Sequence, residues 1–171
     1  SRPWPFAGFL LSCPDLMSSS SPHRATYFRT LLILGRTSNL PTVWSNCLAG
    51  WILGGAENLR NLLLLCAGST LLYLGGMFLN DAFDEEFDRQ HRQERPIPTG
   101  QITSQAVWRW GFGLMAAGSL PLLSLGFIPT ALTIFLSGSI LLYDAVHQAM
   151  ALAPLIIALW RFLLFLLAAW G

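Results

Sequence analysis

The run LLLLCAGSTLLYLGGMFL at residues 62–79 is followed without a break by NDAFDEEFD at residues 80–88. The first segment is apolar almost throughout and approaches the ~20 residues that a hydrocarbon core of roughly 30 Å requires. The second holds five of the chain's nine acidic residues. On a helix turning about 100° per residue, Asp81, Asp84 and Asp88 fall within roughly 60° of one face, and Asn80, Asp84 and Asp88 give a second reading of the same stripe. Carboxylates crowded on one face repel each other, and a hard cation with oxygen ligands relieves that repulsion. Mg²⁺ takes one or two carboxylates, keeps some water and completes its shell with phosphate oxygens, whereas Ca²⁺ asks for a looped cage whose spacing is missing here. The competing reading is a solvated helix end, with Arg89, Arg92 and Arg95 as partners. Position favours the ligand site, because negative charge at the end of an apolar helix opposes the macrodipole.

Composition agrees with a membrane setting. The chain has 171 residues, of which 53% are hydrophobic and 11% charged, against about 25% charged in soluble domains. All ten basic residues are arginine, and the net charge of +1 says little about partners. No nucleic acid is expected as a partner. Cys13, Cys47 and Cys66 form no C-x-x-C and no metal spacing, so they read as small packing residues. No Ser/His/Asp or Cys/His constellation is present.

Residues 1–26 contain Pro3, Pro5, Pro14, Pro22 and the serines Ser18 to Ser21, and read as a disordered or spurious leader. Ala7 to Leu11 is too short to span a bilayer, and a signal peptide would need a basic front and a longer apolar core. Tyr27 to Gly35 reads as an interfacial helix, with Arg24, Arg29 and Arg36 at the headgroups. Five spans are expected: about Asn39–Ala56, Leu62–Leu79, Ala106–Leu125, Thr130–Val146 and Ala149–Trp170. Gly50 and Gly54 form a small-xxx-small pair suited to close helix packing, and Gly75 and Gly76 permit a bend or a close backbone approach. Arg89 to Thr103 is expected as a polar loop, with Thr103 or Ser104 capping the next helix and Trp108 and Trp110 in an aromatic belt. Arg24, Arg29, Arg36, Arg89, Arg92, Arg95 and Arg109 fall on one side and Arg60 on the other. The positive-inside rule therefore places the N-terminus and the acidic loop in the cytoplasm. The ends, Ser1 and Gly171 after an apolar run, read as those of a fragment.

Polar groups inside a membrane are candidates for function. Arg161, within the last span, needs a partner: Asp144 in an ion pair, or an anion in a cavity, where a guanidinium takes two oxygens at once. Tyr143 and His147 are i,i+4 neighbours. Arg92 and Arg95 suit phosphate or lipid headgroups. Asn39 and Asn46 share a face and suit either a cavity wall or interhelical hydrogen bonds. Trp44, Tyr73, Phe78 and Phe83 offer aromatic faces to a cation or simply pack.

The string N-D-x-x-D-x-x-x-D at residues 80–88, with ERPIPTGQI at residues 94–102, resembles the first aspartate-rich motif of the UbiA superfamily of intramembrane prenyltransferases. Arg36 to Gly50 resembles that family's first helix. The likeness covers about residues 27–171, a partial transmembrane domain, and within the superfamily it is nearest to the EboC-like branch. The resemblance implies an all-α, multi-pass helix bundle corresponding to the N-terminal half of such an enzyme, in a bacterial inner membrane. It implies Mg²⁺ held by Asn80, Asp81, Asp84 and Asp88, and a diphosphate bound by Arg92, Arg95, Tyr143, His147 and Arg161. It also implies a substrate cavity lined by Arg36, Asn39 and Asn46. The implied partners are an isoprenyl diphosphate, a hydrophobic acceptor that is aromatic or lipid-like, and membrane lipids. His147 stands where similar proteins carry a lysine, and the second aspartate motif of the family is missing. The chain alone is therefore expected to be inactive. The alternative is a non-catalytic membrane protein that binds or transports a polyprenyl lipid or related metabolite.

Overall fold

The computed structural model describes residues 22–55, 57–146 and 153–170, and among these all regular structure is helical. Seven α-helices follow in order: α1 (Pro22–Leu34), α2 (Leu40–Leu53), α3 (Leu59–Phe83), α4 (Glu85–His91), α5 (Ser104–Leu123), α6 (Phe127–Val146) and α7 (Ala153–Trp170), with a 3-10 turn at Thr37–Asn39 between α1 and α2. The helix α1 begins inside the stretch read as a leader; residues 1–21 and His147 lie outside the described residues.

The apolar run is the centre of the bundle. Asn58 starts α3 by accepting a hydrogen bond from the Arg60 amide through its side chain, and the helix then runs for 25 residues, a rise of about 37 Å at ~1.5 Å per residue. Leu65, Leu72 and Leu79, seven residues apart, are wholly buried against Met115, Leu122, Leu136, Ile140 and Leu167. Small residues let α5 come close. A β-carbon on Gly75 would lie 2.9 Å from the carbonyl oxygen of Gly111, and one on Gly118 would lie 2.8 Å from that of Gly68. The expected small pair on α2 works in the same way, since a β-carbon on Gly50 would lie 2.6 Å from the Phe165 carbonyl oxygen on α7.

Many large apolar side chains of the described helices are exposed. Phe127 is 87% exposed, Leu53 75% and Ile134 64%, the reverse of a soluble domain and suited to lipid contact. Among the described residues, α3 and the Phe127–Ala145 stretch of α6 are long and apolar enough to cross a membrane. The first expected span, Asn39 to Ala56, is realised as a 14-residue helix, which at ~1.5 Å per residue falls short of a full crossing. Prolines and glycines set its ends: Pro41 is tolerated in the first turn, where no intrahelical donor is lost, and Gly54 follows its last residue.

At the acidic end a second apolar cluster joins α1, α3, α5 and the 92–103 segment. It contains Leu34, Phe78, Ala82, Ile97, Ile102 and Val107. Two further links fix that segment: the Thr30 hydroxyl donates to Gln101 Oε1 at 3.2 Å, and Thr103 caps α5 by accepting from the Ala106 amide. The expected loop from Arg89 begins later than its sequence suggested, because Arg89 belongs to α4. Glu85 and Glu86 extend helical structure through i,i+4 contacts to Arg89 and Gln90.

Candidate active site

The acidic stripe survives the junction between α3 and α4. Asp84 sits at the break, yet i−4 backbone bonds continue through it, from Asp84 N to Asn80 O at 3.0 Å, from Asp88 N to Asp84 O at 2.8 Å and from Arg92 N to Asp88 O at 2.8 Å. Helical phase is kept, so the acids separate by side. Asn80, Asp81, Asp84 and Asp88 are 8%, 4%, 6% and 2% exposed and point into the protein. Glu85 and Glu86 point away; Arg89 meets Glu85 at 2.7 Å and Gln90 meets Glu86 at 2.9 Å. The solvated-end reading thus describes the glutamates, not the aspartates.

Three arginines converge on the buried acids. Arg95 Nη1 lies 2.6 Å from Asp81 Oδ1 and 3.9 Å from Asp88 Oδ2. Arg36 Nη2 lies 3.4 Å from Asp81 Oδ1 and 3.5 Å from Asn80 Oδ1. Arg92 Nη1 lies 3.8 Å from Asp88 Oδ1, with its guanidinium over the Phe87 ring. Burial pushes the Asp88 carboxyl above the usual carboxylate range, Arg95 pulls it down and Asp84 pushes it up again. The half-buried Glu85 moves the other way, lowered first by the Ser104 hydroxyl and then by Arg89.

Arg36 is held in a costly backbone state. Its φ of 43° and ψ of 47° put it in the left-handed region, which a non-glycine residue occupies rarely and where strain is kept only if the surroundings fix it. Tyr73 helps to do so by donating its hydroxyl to the Arg36 carbonyl at 3.4 Å.

Beside the stripe lies a cavity of about 360 Å³. Seven residues anticipated from sequence line it: Arg36, Asn39, Asn46, Tyr73, Asn80, Tyr143 and Arg161. They arrive from α2, α3, α6, α7 and the turn before α2, so the bundle brings together positions up to 125 apart in sequence. Leu72, Leu136, Ile140 and Leu164 give the lining apolar surface, and Asn39, Thr42, Asn46 and Ser69 give it polar groups. Arg92 and Arg95 do not line the cavity; they lie against the acids. Of the aromatic candidates, Tyr73 lines the cavity, Phe78 packs in the cluster below it, Phe83 packs edge-on against Trp108, and Trp44 donates to Thr70 on the outside of the bundle.

Two participants were not singled out as site residues by sequence. Asp144, weighed only as a partner of Arg161, is 3% exposed and accepts a hydrogen bond from Asn80 Nδ2 at 3.3 Å. Trp160 lines the cavity and meets the Tyr143 ring edge-on at 4.8 Å. Asp144 could have been found as a carboxylate within an apolar helix; Trp160 is one of seven tryptophans and carried no such signal.

Among the described residues, no three of His, Cys, Asp and Glu converge into a ready-made metal cage. The donors nevertheless suit a hard cation that arrives with phosphate oxygens. They are oxygens on one stripe, and Asp88 Oδ1 is buried with no hydrogen-bond donor. One or two carboxylates are enough for a cation that draws the rest of its shell from phosphate and water.

The chain resembles several prenyl-transfer proteins. Digeranylgeranylglyceryl phosphate synthase of Methanothrix thermoacetophila is 36% identical over 93 residues, 53% of this chain and 35% of that protein. The protein of the same name from Ignicoccus hospitalis is 33% identical over 98 residues, 57% of this chain and 32% of that one. The 4-hydroxybenzoate octaprenyltransferase of Polynucleobacter asymbioticus is 32% identical over 97 residues, 56% and 29% of the two chains. The aligned part thus spans about a third of each relative's length. A solved structure concerning digeranylgeranylglyceryl phosphate synthase in membranes superposes with a TM-score of 0.76 at 21% identity, covering 83% of this chain and 52% of that one; at such identity the likeness concerns the fold. The buried acids, the cavity residues after the 3-10 turn's first position and Arg161 all fall within residues 38–171, the region matched by a single family, and on that match the chain belongs to the UbiA prenyltransferase family.

Proposed function

We propose that this chain carries the diphosphate-binding side of an intramembrane site that transfers a prenyl group from an isoprenyl diphosphate to a hydrophobic acceptor. One observation carries the reading: four buried oxygen-bearing residues share one helical stripe, and the first of them, Asn80, lines a cavity together with two arginines among lipid-facing helices. Asn80, Asp84 and Asp88, with Asp81 beside them, would hold a divalent cation, Mg²⁺ by its preference for carboxylate and phosphate oxygens. When bound, the cation supplies charge neutralisation to the departing diphosphate. The chain's own residues do the rest. Arg161 and Arg36 present guanidinium groups to phosphate oxygens; Arg92 and Arg95 lie close enough to the stripe to join them. Tyr143 and the apolar lining residues confine the prenyl chain and exclude water from the carbon that loses its C–O bond. The acceptor attacks that carbon and gives up a proton, and diphosphate leaves.

The acceptor is proposed to be lipid-like. Relatives named for a glyceryl phosphate product support this over an aromatic ring, although another is named for 4-hydroxybenzoate. Asn39, Asn46 and Ser69 offer hydrogen bonds to a polar acceptor head. The N-terminus and the acidic end are placed on the cytoplasmic side of a multi-pass protein, following the arginine distribution.

The test is binding of a labelled isoprenyl diphosphate by the protein in lipid nanodiscs, with and without Mg²⁺. Asp84→Asn is expected to weaken the Mg²⁺-dependent part of that binding by roughly tenfold or more, because it removes one of the carboxylates that would hold the cation. Tight binding of isoprenyl diphosphate that Asp84→Asn leaves unchanged would point instead to a binding or transport protein.

A further inference from the structure

We infer that Arg95 is a built-in counter-cation that keeps a bare divalent ion out of the acidic stripe, so that the ion enters only together with a diphosphate. The inference rests on the proposed function above and adds an order of binding to it. Arg95 occupies the space between two buried carboxylates, 2.6 Å from Asp81 and 3.9 Å from Asp88. With Arg36 and Arg92 also within 4 Å of these carboxylates, the acids already have their positive charge. A divalent ion arriving alone meets three guanidinium groups and gains little from carboxylates that are already paired. A diphosphate changes the balance by bringing its own negative charge, which the displaced guanidinium groups can follow onto the phosphate oxygens.

The geometry also says how the exchange is made. The Arg95 backbone is pinned, because its carbonyl accepts from both the amide and the hydroxyl of Thr99, at 3.0 Å and 2.9 Å. Ile97 and Ile102 anchor the same segment in the apolar cluster. The Arg95 side chain, 25% exposed against 5% and 3% for its partners, is the free part. It can rotate from carboxylate to diphosphate without the segment moving. Asp88 Oδ1, buried and without a hydrogen-bond donor, is left as the oxygen that still lacks a close ligand.

The experiment measures Mn²⁺ uptake, as a stand-in for Mg²⁺, by equilibrium dialysis of the nanodisc-held protein with and without inorganic pyrophosphate. Wild type is expected to take up Mn²⁺ stoichiometrically only with pyrophosphate. Arg95→Gln is expected to tighten binding of Mn²⁺ alone by roughly tenfold or more, and Arg95→Lys to restore exclusion. A merely structural role would weaken metal binding or leave it unchanged in Arg95→Gln. Tight Mn²⁺ uptake by wild type without pyrophosphate, or no tightening in Arg95→Gln, overturns the inference while leaving the site in place. Absence of pyrophosphate-dependent uptake, or uptake that Asp84→Asn does not change, overturns the site itself and the inference with it.

Discussion

Replacing Gly118 by alanine would place a methyl group 2.7 Å from the Leu72 amide nitrogen and 2.8 Å from the Gly68 carbonyl oxygen. Both are backbone atoms of the central helix, so no side chain can turn aside to make room. To reach an ordinary contact of 3.4 Å, α5 must retreat from α3 by about 0.7 Å. That displacement loosens Leu72, Met115 and Leu122 together, because all three sit in the seam. Overpacking of this kind costs about 1–3 kcal/mol. Gly113, five positions earlier on the same helix, is the control, since a β-carbon there meets nothing within 4 Å. At that site alanine gains from its helix propensity, by up to about 1 kcal/mol. The two substitutions therefore differ by roughly 1–4 kcal/mol, with opposite signs. Unfolding in mixed micelles, followed by far-ultraviolet circular dichroism as denaturing detergent is raised, measures the difference. Gly118→Ala that is as stable as Gly113→Ala would refute the close approach of α3 and α5, and with it the packing that sets Asn80 against the cavity.

Two further outcomes are expected. Leu72→Ala removes a side chain that is 1% exposed and lines the cavity; it should destabilise the bundle by about 2–5 kcal/mol in the same unfolding assay and weaken binding of long prenyl diphosphates more than that of pyrophosphate. Glu85 has its folded-state pKa lowered by Ser104 and Arg89, so its contribution is complete above the ordinary glutamate value and is lost as pH falls through the depressed one. Glu85→Gln should therefore lower stability near neutral pH and flatten its acid dependence below about pH 4.5, by well under ~1 kcal/mol because the pair is largely solvated.

Much of the site could be read along single helices. Spacing alone put Asp81, Asp84 and Asp88 on one face, and the i−4 bonds that run through the break at Asp84 explain why the prediction survived a change of helix. Thr103 could be read as a cap, and Gly50 and Gly54 as a packing pair, because both roles depend on local backbone geometry. The length of α2 was not legible, since no charge or proline follows Leu53 before Glu57, and the close approach of Gly50 and Gly54 to α7 appears only in the packed bundle. The partner of Asp144 was not legible either: sequence offers Arg161, 17 positions away, whereas Asn80, 64 positions away, donates the hydrogen bond.

By itself, the amino-acid order determined that this is a helical membrane chain with an acidic stripe at the end of an apolar helix, because periodicity and hydropathy are properties of one segment at a time. Only the packing of the bundle decided which charges face one another. Arg36 and Arg95 reach Asp81 from 45 and 14 positions away, and Arg161 reaches the cavity from the far helix. Those meetings depend on how closely the glycine-lined surfaces of the helices approach, a quantity set by every contact in the seam at once rather than by any one stretch of the chain.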